Sequence, residues 1–153
     1  MHLKKFVIIF LVIAILFSCS VTPKVKQIYD ESLLLEQTSR ISAGNAGTII
    51  SYNGITVNWK NKNLILPDMI QIQAGDTLLE WNIESRWYDT VYTGKNILFR
   101  YNFQPMKQYL FIVGKNEDKW GFNIFAYDFD EKIPSNMYNE EHFVGFVSFL
   151  NTD

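Results

Sequence analysis

The sequence predicts an all-β fold: an antiparallel β-sandwich or small barrel of seven or eight strands, preceded by a short N-terminal helical or extended segment. Three observations carry that expectation. Apolar residues recur with period two along most of the chain, the periodicity of a strand with one buried face. Turn-forming residues separate the periodic runs at short intervals. Aromatic residues make up 16% of the 153 residues, and large rings fill the thin space between two sheets with few side chains.

The elements follow in chain order. Gln27 to Gln37 (QIYDESLLLEQ) is the only mature stretch with helical character, and it is short. Gly47 to Tyr52 and Ile55 to Lys60 flank Asn53-Gly54, a strong hairpin signal because both residues tolerate positive φ. Within the second arm Ile55, Val57 and Trp59 alternate with polar residues, as in a half-buried strand. Met69 to Gln73 and Thr77 to Ile83 are separated by a turn at Ala74-Gly75-Asp76, and Thr77, Leu79, Trp81 and Ile83 share one face. Glu84 to Lys95 (ESRWYDTVYTGK) loses the period and is expected as an extended loop or a bulged edge strand. Ile97, Phe99, Tyr101 and Phe103 then alternate with Leu98, Arg100 and Asn102, and Pro105 breaks the run because it cannot donate to a ladder. Gln108 to Val113 (QYLFIV) is apolar on both faces, which predicts a central strand. Asn116 to Lys119 turns the chain into Trp120 to Tyr127. A polar stretch, Asp128 to Glu141, leads to a last strand at Phe143 to Leu150.

The N-terminus carries a different signal. Lys4 and Lys5 precede an uninterrupted apolar run of 12 residues, Phe6 to Phe17, and then Ser18 and the only cysteine, Cys19. A spanning helix needs about 20 apolar residues to cross a core of roughly 30 Å, so this run reads as a cleaved export signal. Leu16-Phe17-Ser18-Cys19 resembles the bacterial lipobox, in which cleavage before a cysteine follows its acylation with diacylglycerol. Phe17 departs from the small residue usual there. The alternative is an ordinary signal cut near Ser18 or Ser20. The expected organisation is therefore a lipoprotein signal peptide at 1–18, an acylated N-terminus and tether at 19–28, and one β domain at 29–153. Ser20 rather than Asp after the cysteine would, in enteric bacteria, permit transfer to the outer membrane.

Without residues 1–18, 12 basic and 16 acidic side chains remain, a net charge of about -4. That balance gives no electrostatic footprint for nucleic acid. With no second cysteine, an exported domain must fold without an intramolecular disulfide.

The order of features resembles a family of small, mostly uncharacterised exported bacterial lipoproteins. The matching residues are Tyr29, Ser51-Tyr52-Asn53-Gly54, Gln73-Ala74-Gly75-Asp76-Thr77-Leu78, Met106-Lys107-Gln108-Tyr109 and Trp120. Met106 stands where the family has glycine, and Asp76 where a basic residue is usual. All of these are turn or core positions. The resemblance implies a lipid-anchored β-sandwich and transfers no active site.

Candidate chemistry is sparse. His142 is the only histidine outside the signal segment, so Ser-His-Asp, Cys-His and multi-histidine metal sites are not expected within one chain, and beside Glu140-Glu141 it is expected as a surface residue of a solvated acidic loop. Asp128, Asp130 and Glu131 have calcium-like spacing but lack the glycine and later glutamate of a calcium loop, so neither metal nor cofactor is expected. Scattered carboxylates leave a hydrolase as a remote reading. Arg86, Trp87, Tyr88 and Tyr92 form the candidate binding loop, because rings outside a strand period can stack on a sugar or anchor a protein partner; the alternative is that they close the end of the sandwich. The expectation is a membrane-anchored, non-catalytic envelope domain that binds or assembles with an envelope protein, with a carbohydrate-binding module for envelope glycan as the alternative.

Overall fold

A computed structural model describes residues 25–28, 32–44, 47–60, 69–87, 90–134 and 139–149, with the backbone alone at Lys60, Arg86, Trp87 and Thr90. The described residues form ten strands in two sheets packed face to face, an all-β sandwich. The strands are β1 (Val25–Gln27), β2 (Thr38–Ser42), β3 (Thr48–Tyr52), β4 (Ile55–Lys60), β5 (Met69–Gln73), β6 (Gly75–Trp87), β7 (Thr90–Phe103), β8 (Lys107–Asn116), β9 (Lys119–Asp128) and β10 (Phe143–Ser148). One sheet has the order β1-β5-β2-β8-β9-β10 and the other β4-β3-β6-β7. Most pairs are antiparallel; β1 with β5 and β2 with β8 are parallel. No helix among the described residues is long and apolar enough to cross a membrane.

The local chemistry explains the turns. Asn53 and Gly54 take φ 46° and 80°, as a two-residue hairpin requires. Asn53 also exchanges hydrogen bonds with Leu78, its N–H donating to the Leu78 carbonyl (2.8 Å) and its Oδ1 accepting from the Leu78 N–H (2.9 Å). The β3–β4 turn is thereby fastened to β6. Gly44, at φ 50°, lets the chain pass from one sheet to the other under β8, where a Cβ would lie 2.6 Å from the Phe111 carbonyl oxygen. Ala74-Gly75 is a crossing between sheets, so β5 and β6 are not a hairpin.

The inner faces supply the core. Thr77, Leu79, Trp81 and Ile83 on β6 are buried, as are Ile97, Phe99 and Phe103 on β7. They meet Tyr109, Phe111 and Val113 of β8 and Phe122 and Ile124 of β9. Phe111 is the hub, with ring centroids 5.5 Å from Trp81 and 5.4 Å from both Phe99 and Phe122. The alternation expected for β6 and β7 is thus observed, and β8, apolar and buried on both faces, lies between β2 and β9 as expected of a central strand.

Four features depart from the sequence reading. Thr38–Ser42 forms a strand in the middle of the larger sheet although it reads as polar. Among the described residues of Gln27 to Gln37, helical character amounts to one 3-10 turn at Leu35–Gln37. Val25–Gln27, assigned to the tether, joins the sheet beside β5. Ile55 is 57% exposed at the turn end of an edge strand.

Candidate functional site

Two places gather the side chains that could carry function. The first is the end of the β6–β7 hairpin. β3 pairs with β6 only as far as Asn82, so Ile83–Trp87 and Thr90–Gly94 continue as a two-stranded ribbon. A bulge begins it: Asn82 alone faces Lys95 and Asn96, and the Asn96 N–H, at φ 53°, donates to Asn82 Oδ1 (3.0 Å). The bulge breaks the period on β7, where the inward set changes from Tyr92 and Gly94 to Ile97 and Phe99, since an extra residue moves later side chains to the opposite face; on β6 the alternation runs on through buried Ile83 and Ser85. Of the two expectations for the interval, the bulged edge strand is the one found.

Arg86 pairs with Val91 and Trp87 with Thr90 in the backbone ladder. Tyr88 lies outside the described residues, as do Ser18 and Cys19. Tyr92 is half-buried, its ring 5.1 Å from Trp120 in a stacked arrangement and 5.2 Å from Phe149. It therefore closes the sandwich end against β9, and burial raises its hydroxyl pKa. Beside it in the ladder, Ser85 is buried with no hydrogen-bond partner for its hydroxyl among the described residues.

The second place is the outer face of the larger sheet. Met69, Leu110, Ile112, Phe125 and Tyr127 form an apolar island there, joined by Ile133 from the segment after β9. Gln108, buried at the start of β8, donates through Nε2 to the carbonyls of Asp128 (2.8 Å) and Glu131 (2.5 Å). Glu131 Oε2 in turn accepts from the Asp128 N–H (2.7 Å). This turn brings Glu131 Oε1 to 3.8 Å from His142 Nε2, and the His142 ring stacks on Tyr127 at 4.3 Å with Nδ1 3.1 Å from the Ala126 carbonyl oxygen. Lys107 reaches Asp128 at 2.6 Å, a hydrogen bond that raises the lysine pKa against a smaller opposing effect of burial. Burial pushes the Tyr127 hydroxyl up, with the nearby Glu131 charge adding to it.

His142 is therefore not the solvated surface residue that its acidic neighbours suggest; its side chain is 23% exposed and held on three sides. The signal that could have found it was the apolar outer face of QYLFIV, which requires a covering segment. Gln108, Lys107 and the Ala126 carbonyl join the Asp128–His142 segment to the sheet, and Glu131 braces the segment internally through Asp128 and His142, so the group acts as a fastening. Among the described residues no three His, Cys, Asp or Glu side chains gather where they could hold a metal ion.

The residues behind the lipoprotein resemblance lie at turns, crossings and core positions: Ser51-Tyr52-Asn53-Gly54 at the β3–β4 turn, Gln73 to Leu78 at the crossing into β6, Met106 to Tyr109 at the entry to β8, and Trp120 under Tyr92. Tyr29 is outside the described residues. Comparison of the chain with protein-family models, with curated proteins and with solved structures finds no match.

Proposed function

We propose that this chain is an exported bacterial envelope lipoprotein, held at the membrane by a lipid on Cys19, whose β-sandwich is a non-catalytic binding or assembly domain. The observation that carries the reading is the N-terminal string: two lysines, 12 apolar residues, and the chain's only cysteine directly after Leu16-Phe17-Ser18. Further support comes from the short distance to the fold. Five residues separate Cys19 from β1, and the chain from Cys19 to Val25, at roughly 3.3–3.6 Å per residue step, reaches no further than about 22 Å. An acylated Cys19 would hold the sandwich against the surface of the outer membrane, with β1 nearest to it.

The non-catalytic part rests on how the available acids and base are used. His142, Asp128, Glu131 and Lys107 are engaged with one another and with main-chain carbonyls, an arrangement suited to holding a segment in place. Kinship with the small exported lipoproteins gains support from Met106, which stands at their glycine position and has φ 60°, the backbone region that favours glycine. An envelope protein is the partner class the reading calls for, and the hairpin end with Arg86, Trp87, Tyr88 and Tyr92 is the surface proposed to meet it.

The test is acylation. Cells expressing the wild-type chain should incorporate labelled palmitate into it and retain it in the membrane fraction. Cys19→Ser should abolish labelling and leave an uncleaved or soluble species. Unchanged labelling and fractionation of that variant would refute the anchor.

A further inference from the structure

We propose that the end of the sandwich at Leu34, Leu35, Pro105 and Met106 lies in the headgroup layer of the membrane that holds Cys19, with the β6–β7 hairpin pointing away from the bilayer. This rests on the lipid-anchor reading and adds an orientation to it. Leu34 is 59% exposed, Leu35 50% and Met106 39%, and Pro105 is exposed beside it. Single exposed apolar residues are ordinary, whereas several brought together mark a contact surface. Thr38 brings these together: its hydroxyl donates to the Leu35 carbonyl (2.7 Å) and its carbonyl accepts from the Met106 N–H (2.8 Å). Met106 also holds φ 60°, a region that favours glycine, so an apolar side chain is displayed there against backbone strain.

The length of the tether selects what this end meets. Thr38 lies opposite Gln73 on β5, and Val25 lies opposite Met69. The end is therefore four residues from Val25 along the strands, roughly 13 Å. Cys19 can lie about 22 Å from Val25, so it reaches the bilayer at this end with chain to spare, and all of β1 stays close to the surface. Other exposed apolar groups are further away. Val91 sits at the far end of the hairpin, and Gly75–Trp87 spans 13 residues, roughly 40 Å. Phe143, Val144 and Val147 lie on β10, five strands from β1, about 24 Å across the sheet. A bilayer touching either place would hold the tether at or beyond full stretch.

The charges at this end suit a zwitterionic surface. Lys107 pairs with Asp128 (2.6 Å) and Arg100 with Asp76 (3.6 Å), while Glu36 and Asp130 stay exposed. Among the described residues this end has no excess of cations to draw anionic lipid. The apolar side chains therefore carry the contact, entering the headgroup and acyl boundary by about 5–10 Å.

The test uses the acylated full chain in vesicles of phosphatidylcholine and phosphatidylethanolamine. Acylated Cys19 has no free thiol, so a nitroxide attaches only to an introduced cysteine: Leu35→Cys or Met106→Cys at the contact, Val91→Cys on the hairpin, or Val147→Cys on β10. Collisions of the label with oxygen, which concentrates in lipid, and with a water-soluble nickel chelate report the phase it meets. The oxygen-to-nickel ratio should be about fivefold higher or more at Leu35 and Met106 than at Val91 and Val147. Adding Leu34→Asp to Met106→Cys should bring the Met106 ratio down to that at Val91. Circular dichroism melts confirm that each variant folds. A chain that carries no lipid or does not float with the vesicles overturns the anchor and this contact together. A chain that is acylated and vesicle-bound, yet gives equal ratios at all four positions, higher ones at Val91 or Val147, or no response to Leu34→Asp, overturns this contact and leaves the anchor standing.

Discussion

The two faces of the larger sheet are built by different means. The inner face is a continuous array of Ile41, Ile70, Ile72, Tyr109, Phe111, Val113, Phe122 and Ile124 against the rings of β6 and β7. The outer face is an apolar island bordered by polar groups, covered by a segment that contributes Ile133, Phe129 and His142. Burial of area holds the inner face, so any ring of suitable shape in the correct alternation contributes. The outer cover depends on a few hydrogen bonds of defined geometry, chiefly those of Gln108. The first kind of order is additive and robust; the second fails when one partner is removed.

The largest expected effect lies on the inner face. Phe111 is fully buried and touches the rings of Trp81, Phe99, Tyr101, Phe103 and Phe122. Phe111→Ala should cost roughly 3–5 kcal/mol, read as a fall in the denaturant midpoint with unchanged slope. A loss below about 1 kcal/mol would mean that area on this face is not what holds the sheets together.

On the outer face the matching change is Gln108→Ala. It removes little apolar area but leaves the Asp128 and Glu131 carbonyls without their donor. A loss of about 1–3 kcal/mol is expected, together with faster amide exchange confined to 128–142. Uniform acceleration across the sandwich would show instead that the cover and the core unfold as one unit.

The same contrast explains what the sequence makes legible. Period two and the Asn-Gly turn reveal β3, β4, β6 and β7, because those strands present one apolar face each, while β8 and β9 stand out as apolar runs between turns. β2 escaped because Thr38, Ser39 and Ser42 are buried polar residues. Their partners are remote in sequence: Thr38 Oγ1 accepts from Gln71 Nε2 (2.7 Å) and Ser39 Oγ donates to the Gln104 carbonyl (2.6 Å). No local pattern encodes such a pairing. His142 was misread for the same reason, since nothing in Glu140-Glu141-His142 announces Tyr127 beneath it. The hairpin end is partly legible: its rings stand out and a bulge is one of the two expectations for it, while the placing of that bulge at Lys95-Asn96, which orients Tyr92, is not.

Tyr92 is where an inner-face ring and a candidate recognition ring coincide. Tyr92→Ser removes a half-buried ring stacked on Trp120, so a loss of about 1–2 kcal/mol is expected. Equilibrium unfolding measures it. A change within a few tenths of a kcal/mol would mean that the ring contributes nothing to closing the sandwich, and would return it to the recognition reading.

The smallest effect should be a gain, at the turn joining β7 to β8. Met106 is held at φ 60° by two main-chain hydrogen bonds, its N–H donating to the Thr38 carbonyl (2.8 Å) and its carbonyl accepting from the Phe129 N–H (3.2 Å). The left-handed region costs a residue with a Cβ about 1–2 kcal/mol. Met106→Gly relieves that strain and keeps both hydrogen bonds, while the freer unfolded chain takes back about 0.4–1 kcal/mol. The Met106 side chain is substantially exposed, so little burial is lost. A net gain of about 0.5–1 kcal/mol follows, seen as a rise of a few degrees in Tm. Met106→Ala separates the causes, because alanine keeps the Cβ and its strain: it should give no gain. If alanine stabilised as much as glycine, the methionine side chain rather than the backbone would be the unfavourable element at this turn.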